Sequence, residues 1–186
     1  MVTPVCEALP VRTTSSREVY RNDWIRVRED TIELADGSTG LYGVVEKADF
    51  TLVMPEQEGG FWLVEQFRYP LGRRSWEFPQ GTWGAGKDGT VEELARAELA
   101  EETGLRAGRL EHLGLLDLAS GLMTQRFDVW LAGDLVPGPT DREITESDMR
   151  QALVPEAELR QMIRDGRLTD GPTVAAYGLL LLHRSA

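Results

Sequence analysis

Cysteine is almost missing from this chain of 186 residues: Cys6 stands alone, so no disulfide can form within it. Histidine is scarce too. His112 and His183 lie far from the acidic motif described below, so structural or surface work suits both better than proton transfer. Long apolar runs are absent: Leu179–Leu182 is the longest purely aliphatic stretch and far too short to span a bilayer. The opening MVTPVCEALPVRTTSSRE has no basic start followed by an apolar stretch, which predicts no secretory signal and a cytoplasmic protein without membrane partners. Positive charge is in deficit. With a net charge of −11 and no basic stripe, binding to nucleic acid through its phosphates is excluded as an expectation. A nucleotide whose charge is met locally by a metal ion is not. What remains, 41% hydrophobic and 27% charged residues, is ordinary for a globular protein with one real core.

The most informative stretch is GTWGAGKDGTVEELARAELAEETGL, residues 81–105. Thr90 followed by Glu93 predicts a capping box, and Gly104 stands where a left-handed residue would end the helix. Ala, Leu, Glu and Arg between them favour helix. On that helix Glu98, Glu101 and Glu102 are spaced i, i+3, i+4, which puts three carboxylates on one face. Such like charges repel by a few tenths of a kcal/mol when exposed and by more when desolvated. A solvated acidic face is one explanation of the pattern. A site for a hard divalent cation, which takes oxygen ligands, is the other.

The wording of the stretch decides between them. Glu98-Leu99-Ala100-Glu101-Glu102-Thr103-Gly104-Leu105 resembles the second half of the Nudix hydrolase signature at every fixed position. Two positions depart. Gly89 and Ala97 stand where the family has its first Glu and its Arg, and the loop from Gly81 is two residues longer than the pattern. In the family those two form a supporting ion pair, so losing both leaves no orphan charge. Upstream, Gln66-Phe67-Arg68-Tyr69-Pro70 and Trp76-Glu77-Phe78-Pro79-Gln80-Gly81 resemble the ADP-ribose pyrophosphatase branch, as does Arg164-Asp-Gly-Arg-Leu-Thr-Asp170 before Thr173. The likeness covers about residues 18–183.

Read in order, residues 1–16 form a polar arm rich in Thr, Ser and Pro, expected to be flexible. Residues 17–46, turning at Asp36-Gly37, read as a β-hairpin appended to one domain over 17–186. Thr51–Met54 and Phe61–Phe67 make a second strand pair. Glu111–Leu118 and Gln125–Leu131 make a third, with Phe127, Val129 and Leu131 on one side and Arg126, Asp128 and Trp130 on the other. Gly133–Asp148 reads as an acidic loop. Met149–Val154 is a last strand, and helices follow over Glu156–Asp165, stopped at Gly166, and after Asp170. Pattern and resemblance together imply an α/β fold. It is an α/β/α sandwich with the box helix on one side of a mixed sheet and the C-terminal helices on the other, plus a small N-terminal antiparallel sheet.

The resemblance implies metal-dependent hydrolysis of a diphosphate within a nucleoside diphosphate sugar, with ADP-ribose or a related ADP-sugar first. Glu98, Glu102 and Glu101, with a backbone carbonyl at Gln80 or Gly81, are the implied ligands of Mg²⁺ or Mn²⁺. Arg68 and Glu77 are the implied lining of the substrate site. The base that takes the proton from water is, in this branch, a Glu on the loop after the strands. Glu143 and Glu146 lie on that loop, and Glu146 sits nearer the strand that anchors it. A homodimer is implied in which the appended sheet reaches the partner's site, where Trp24 or Tyr42 would stack a base. The alternatives are a GDP-mannose or other sugar-nucleotide diphosphatase, and a binding module on the same fold whose box has decayed.

Overall fold

Strand β1 (Val11–Arg21) has every one of its residues exposed, and it forms without any hydrophobic alternation. Its partner is β2 (Arg26–Leu34), which is paired in turn with β3 (Thr39–Glu46) in an antiparallel sheet. Cross-strand charge pairs accompany the backbone ladder, Arg12 with Glu33 at 2.5 Å and Arg17 with Glu29 at 3.0 Å. The flexible arm expected up to residue 16 is therefore corrected: from Val11 it is strand. The computed structural model describes residues 11–84, 86–140 and 148–185. The β2–β3 turn is the anticipated one, with Gly37 at φ 81° and the Asp36 carboxylate accepting from the Ser38 N–H at 3.0 Å.

The chain divides into two compact units, the first being residues up to Ala48 with Leu118–Gln125. In that unit the excursion 118–125 adds itself to the edge of β3. Val45 N–H donates to Leu122 O at 2.9 Å, Thr124 N–H to Val45 O at 3.1 Å, and the Tyr42 hydroxyl to Gly121 O at 2.9 Å. What reads as a two-stranded hairpin is thus a three-stranded sheet with a further edge segment.

The second unit, Asp49–Asp117 and Arg126 onward, carries the larger sheet. Its order is β10 (Arg150–Pro155), β5 (Gly60–Arg68), β4 (Phe50–Gln57), β9 (Arg126–Pro137) and β8 (Leu105–Asp117), with β4 and β9 parallel and the other neighbours antiparallel. Strand β9 runs to Pro137, so the acidic loop expected from Gly133 begins later. β4 and β5 pair only beside their turn, at Glu56↔Phe61 and Gln57↔Gly60. Beyond that they diverge. β6 (Arg73–Glu77) pairs with β5 and the two-residue β7 (Gln80–Gly81) pairs with β4, so the chain crosses the mouth of a fork.

Helix α1 (Val91–Thr103) covers one face of this sheet, where Ala95 and Leu99 pack with Val53, Leu105, Trp130 and Ala132. Alternation along the strands sends Phe61 to the other face, against Phe78 at 5.7 Å and Tyr177 at 6.2 Å between ring centroids. Tyr177 belongs to α3 (Gly171–Arg184), which follows α2 (Glu156–Arg164). Each such fully buried Leu or Phe contributes about 1.5–3 kcal/mol. The sandwich is as expected. One face of β9 is not, because Trp130, placed with the polar side of the strand, is 7% exposed and lies in the core beneath α1. No helix among the described residues is long and apolar enough to cross a membrane.

Candidate active site

Helix α1 begins and ends as its residues dictate. Thr90 Oγ1 accepts from Glu93 N–H at 3.2 Å, while the Glu93 carboxylate accepts from Thr90 N–H at 2.8 Å. Gly104 closes the helix at φ 73°. The helix is thereby fixed in rotation, with Glu98 toward β7. A Cβ built on Gly81 would overlap the carboxyl group of Glu98. That carboxyl group therefore rests on the Gln80–Gly81 backbone, where carboxylate and peptide oxygens are the kind of ligand a hard cation takes. Glu102, one turn on, is 1% exposed, and Glu101 is half-buried. Among the described residues no three His, Cys, Asp or Glu side chains are gathered as a metal cluster. The three carboxylates share one helix.

Arg68 and Glu77 lie at opposite ends of the β5–β6 pairing, Arg68 opposite Arg73 and Glu77 opposite Val64, and the long Arg68 side chain spans the distance between them. The guanidinium donates to Glu77 Oε2 from Nη2 at 2.8 Å and from Nε at 3.2 Å, and Gln80 Nε2 donates to the same oxygen at 2.9 Å. Glu77 is fully buried and its Oε1 has no hydrogen-bond partner among the described residues. Burial pushes its carboxyl up from the ordinary carboxylate range, against the opposing pull of Arg68. For Arg68 burial works against the charge, but Glu77 outweighs it, helped by Asp170 and Glu102, and the guanidinium is held above its usual value. A side chain 37% exposed leaves part of the Arg68 fork accessible.

The segment carrying Glu77, Gln80 and Gly81 is clamped from both sides. Val53 N–H donates to Pro79 O, and Phe78 N–H donates to the buried hydroxyl of Thr173, both at 2.9 Å. Asp170 caps α3 through Thr173 N–H at 2.9 Å and also lends its charge to Arg68. In the sequence these two residues mark only a helix start; nothing local links them to residues 77–81. Gly89 is required by close packing, since a Cβ there would meet Trp83 Cζ2 at 2.8 Å and Glu93 Oε2 at 3.0 Å. An indole fills the loop where the resemblance has an ion pair.

Other anticipated residues lie elsewhere. Trp24 is in the first unit, 66% exposed in the β1–β2 turn, with its backbone N–H donating to Asn22 Oδ1 at 2.8 Å. Glu143 and Glu146 fall outside the described residues. His112 Nε2 meets Asp128 Oδ1 at 2.7 Å with its ring 4.7 Å from that of Trp130, and His183 pairs with Glu111 at 3.0 Å.

Known families match most of the chain. The model of the NUDIX domain matches residues 46–177. The chain belongs to the Nudix hydrolases. In this Nudix hydrolase residues 11–45 also match the model of the nucleoside diphosphate sugar hydrolase N-terminal domain. It is 30% identical to an ADP-ribose pyrophosphatase of Mycobacterium tuberculosis, over 92% of this chain and 82% of that one. A GDP-mannose pyrophosphatase of Pectobacterium atrosepticum is 28% identical over 86% of this chain and 77% of its own. In fold the Nudix hydrolase is similar to a crystal structure of an ADP compounds hydrolase, with a TM-score of 0.81, 20% identity and 95% of each chain covered.

Proposed function

We propose that the protein hydrolyses the diphosphate bond of a nucleoside diphosphate sugar, ADP-ribose or a related ADP-sugar first, releasing a nucleoside monophosphate and a sugar phosphate. The observation that carries this reading is the Glu98 carboxyl group lying on the Gly81 backbone, one helical turn from Glu102 and with the Arg68 guanidinium within reach of Glu102's charge. Glu98 and Glu102, joined by Glu101 and by a carbonyl of Gln80 or Gly81, would hold Mg²⁺ or Mn²⁺. When bound, the cation neutralises the diphosphate and lowers the pKa of a water.

The remaining work belongs to side chains. Glu77 holds the Arg68 fork, whose free N–H groups meet a phosphate oxygen. Glu146, or Glu143 on the same loop, accepts the proton of the attacking water. Trp24 or Tyr42 stacks the base across a cytoplasmic homodimer. The relative acting on GDP-mannose supports a second reading, in which the same site takes a GDP-sugar.

The test is product release from ADP-ribose and from GDP-mannose with Mg²⁺ or Mn²⁺, wild type beside Glu102→Gln. Cation-dependent turnover that the substitution abolishes supports the reading and ranks the two substrates. Tight binding of either compound without turnover would instead make the chain a binding module.

A further inference from the structure

Thr51 is fully buried, and its hydroxyl has no hydrogen-bond partner among the described residues. A buried donor left unmade costs about 1–3 kcal/mol, so its presence calls for a reason. The strand register supplies one. Thr51 on β4 stands directly opposite Gly81 on β7, and opposed residues of an antiparallel pair share a face with Cβ positions about 4.5–5.5 Å apart. The Cβ position of Gly81 is where the Glu98 carboxyl group lies. The orphaned hydroxyl and that carboxyl group therefore lie on the same face of the β4–β7 pair, at neighbouring positions. On its other side Thr51 is in register with Asp128 of β9, whose Oδ1 is already engaged by His112 at 2.7 Å.

We infer that Thr51 is a positioning residue for Glu98: its hydroxyl donates to the Glu98 carboxylate once that group turns to hold a divalent cation. A carboxylate that ligates through one oxygen needs the other oriented, and one donor on the adjacent strand does this without adding charge. Thr51 touches neither substrate nor reacting atoms; it acts through Glu98. The inference rests on the reading of α1 as the cation-holding helix.

The experiment is Mn²⁺ binding to the substrate-free protein, followed by the electron paramagnetic resonance of free Mn²⁺, with urea unfolding alongside. Wild type, Thr51→Val and Thr51→Ser are compared. Thr51→Val keeps nearly the same shape without the hydroxyl. It should bind Mn²⁺ about 10-fold or more weakly, as losses of outer-shell partners do, while its unfolding midpoint is unchanged or raised. Thr51→Ser should bind as wild type. Thr51→Val binding as tightly as wild type overturns the inference, and so does weakened binding in Thr51→Ser or weakened binding accompanied by a lower midpoint. If Thr51→Val does not fold, Thr51→Ala is held to the same outcomes. Wild type that binds no Mn²⁺ at all overturns the reading of the helix, a result separate from any difference among the variants.

Discussion

The Glu98 carboxyl group occupies the space that a side chain at Gly81 would need. Glycine at position 81 is thus set by a neighbour on another element, not by a turn. Gly81→Ala forces the helix and β7 apart or swings Glu98 away. Overpacking of this kind costs about 1–3 kcal/mol, and a displacement near 1 Å at a reacting centre costs about 10²-fold in rate. Urea unfolding and steady-state turnover of the variant check both figures. An alanine variant with wild-type turnover would detach this contact from catalysis.

The Arg68–Glu77 pair predicts strong non-additivity. Arg68→Met leaves a buried carboxylate without its cation and should destabilise by about 2–3 kcal/mol, discounted for the part of Arg68 that water still reaches. Adding Glu77→Gln should restore a large share. A double-mutant cycle by urea unfolding reads this directly, and simple addition of the two losses would contradict a coupled pair.

Tyr177 makes stability depend on alkaline pH. Its phenol is pushed up to about 12, first by burial and then by Glu156, which accepts its proton at 2.7 Å. The folded state therefore favours the protonated phenol more than the unfolded state does. The contribution is full below an ordinary tyrosine pKa near 10 and is lost as pH rises toward 12, up to about 2–3 kcal/mol in all. Tyr177→Phe should lose about 1 kcal/mol at neutral pH and should lack the wild-type decline in urea midpoint above about pH 10. Parallel alkaline declines in the two proteins would refute the assignment.

The two candidate bases, Glu146 and Glu143, divide by rate. Glu146→Gln should lower turnover by about 10²-fold or more, the size of a general base, with Glu143→Gln affected far less. Single-turnover rates at saturating substrate are the measure. Equal, small effects in both variants would exclude both residues as the base.

The helix that organises the site was readable from its own residues, because capping is local: Thr90, Glu93 and Gly104 act within one turn of the helix ends. Strand β1 was not readable, since Thr13, Thr14, Ser15 and Ser16 bury nothing and are held only by partners on β2. Nor were β6 and β7, whose pairing depends on where β4 and β5 part. The site splits along the same line. Glu98 and Glu102 follow from helical spacing, whereas the orphaned hydroxyl of Thr51 and the hold of Thr173 on Phe78 exist only through contacts across the sheet.

The excursion 118–125 has a consequence for anyone who would cut this chain into parts. The two family models meet between residues 45 and 46, as though the N-terminal piece could be lifted away there. Yet Val45 donates its N–H to Leu122 and accepts at its carbonyl from Thr124, residues encoded more than seventy positions later. A fragment ended at that junction would expose the edge of β3 as a raw strand, open to any other chain with unpaired amides. A graft of the first piece onto another scaffold must carry two separate stretches of sequence, so the inherited unit and the folding unit are not the same object.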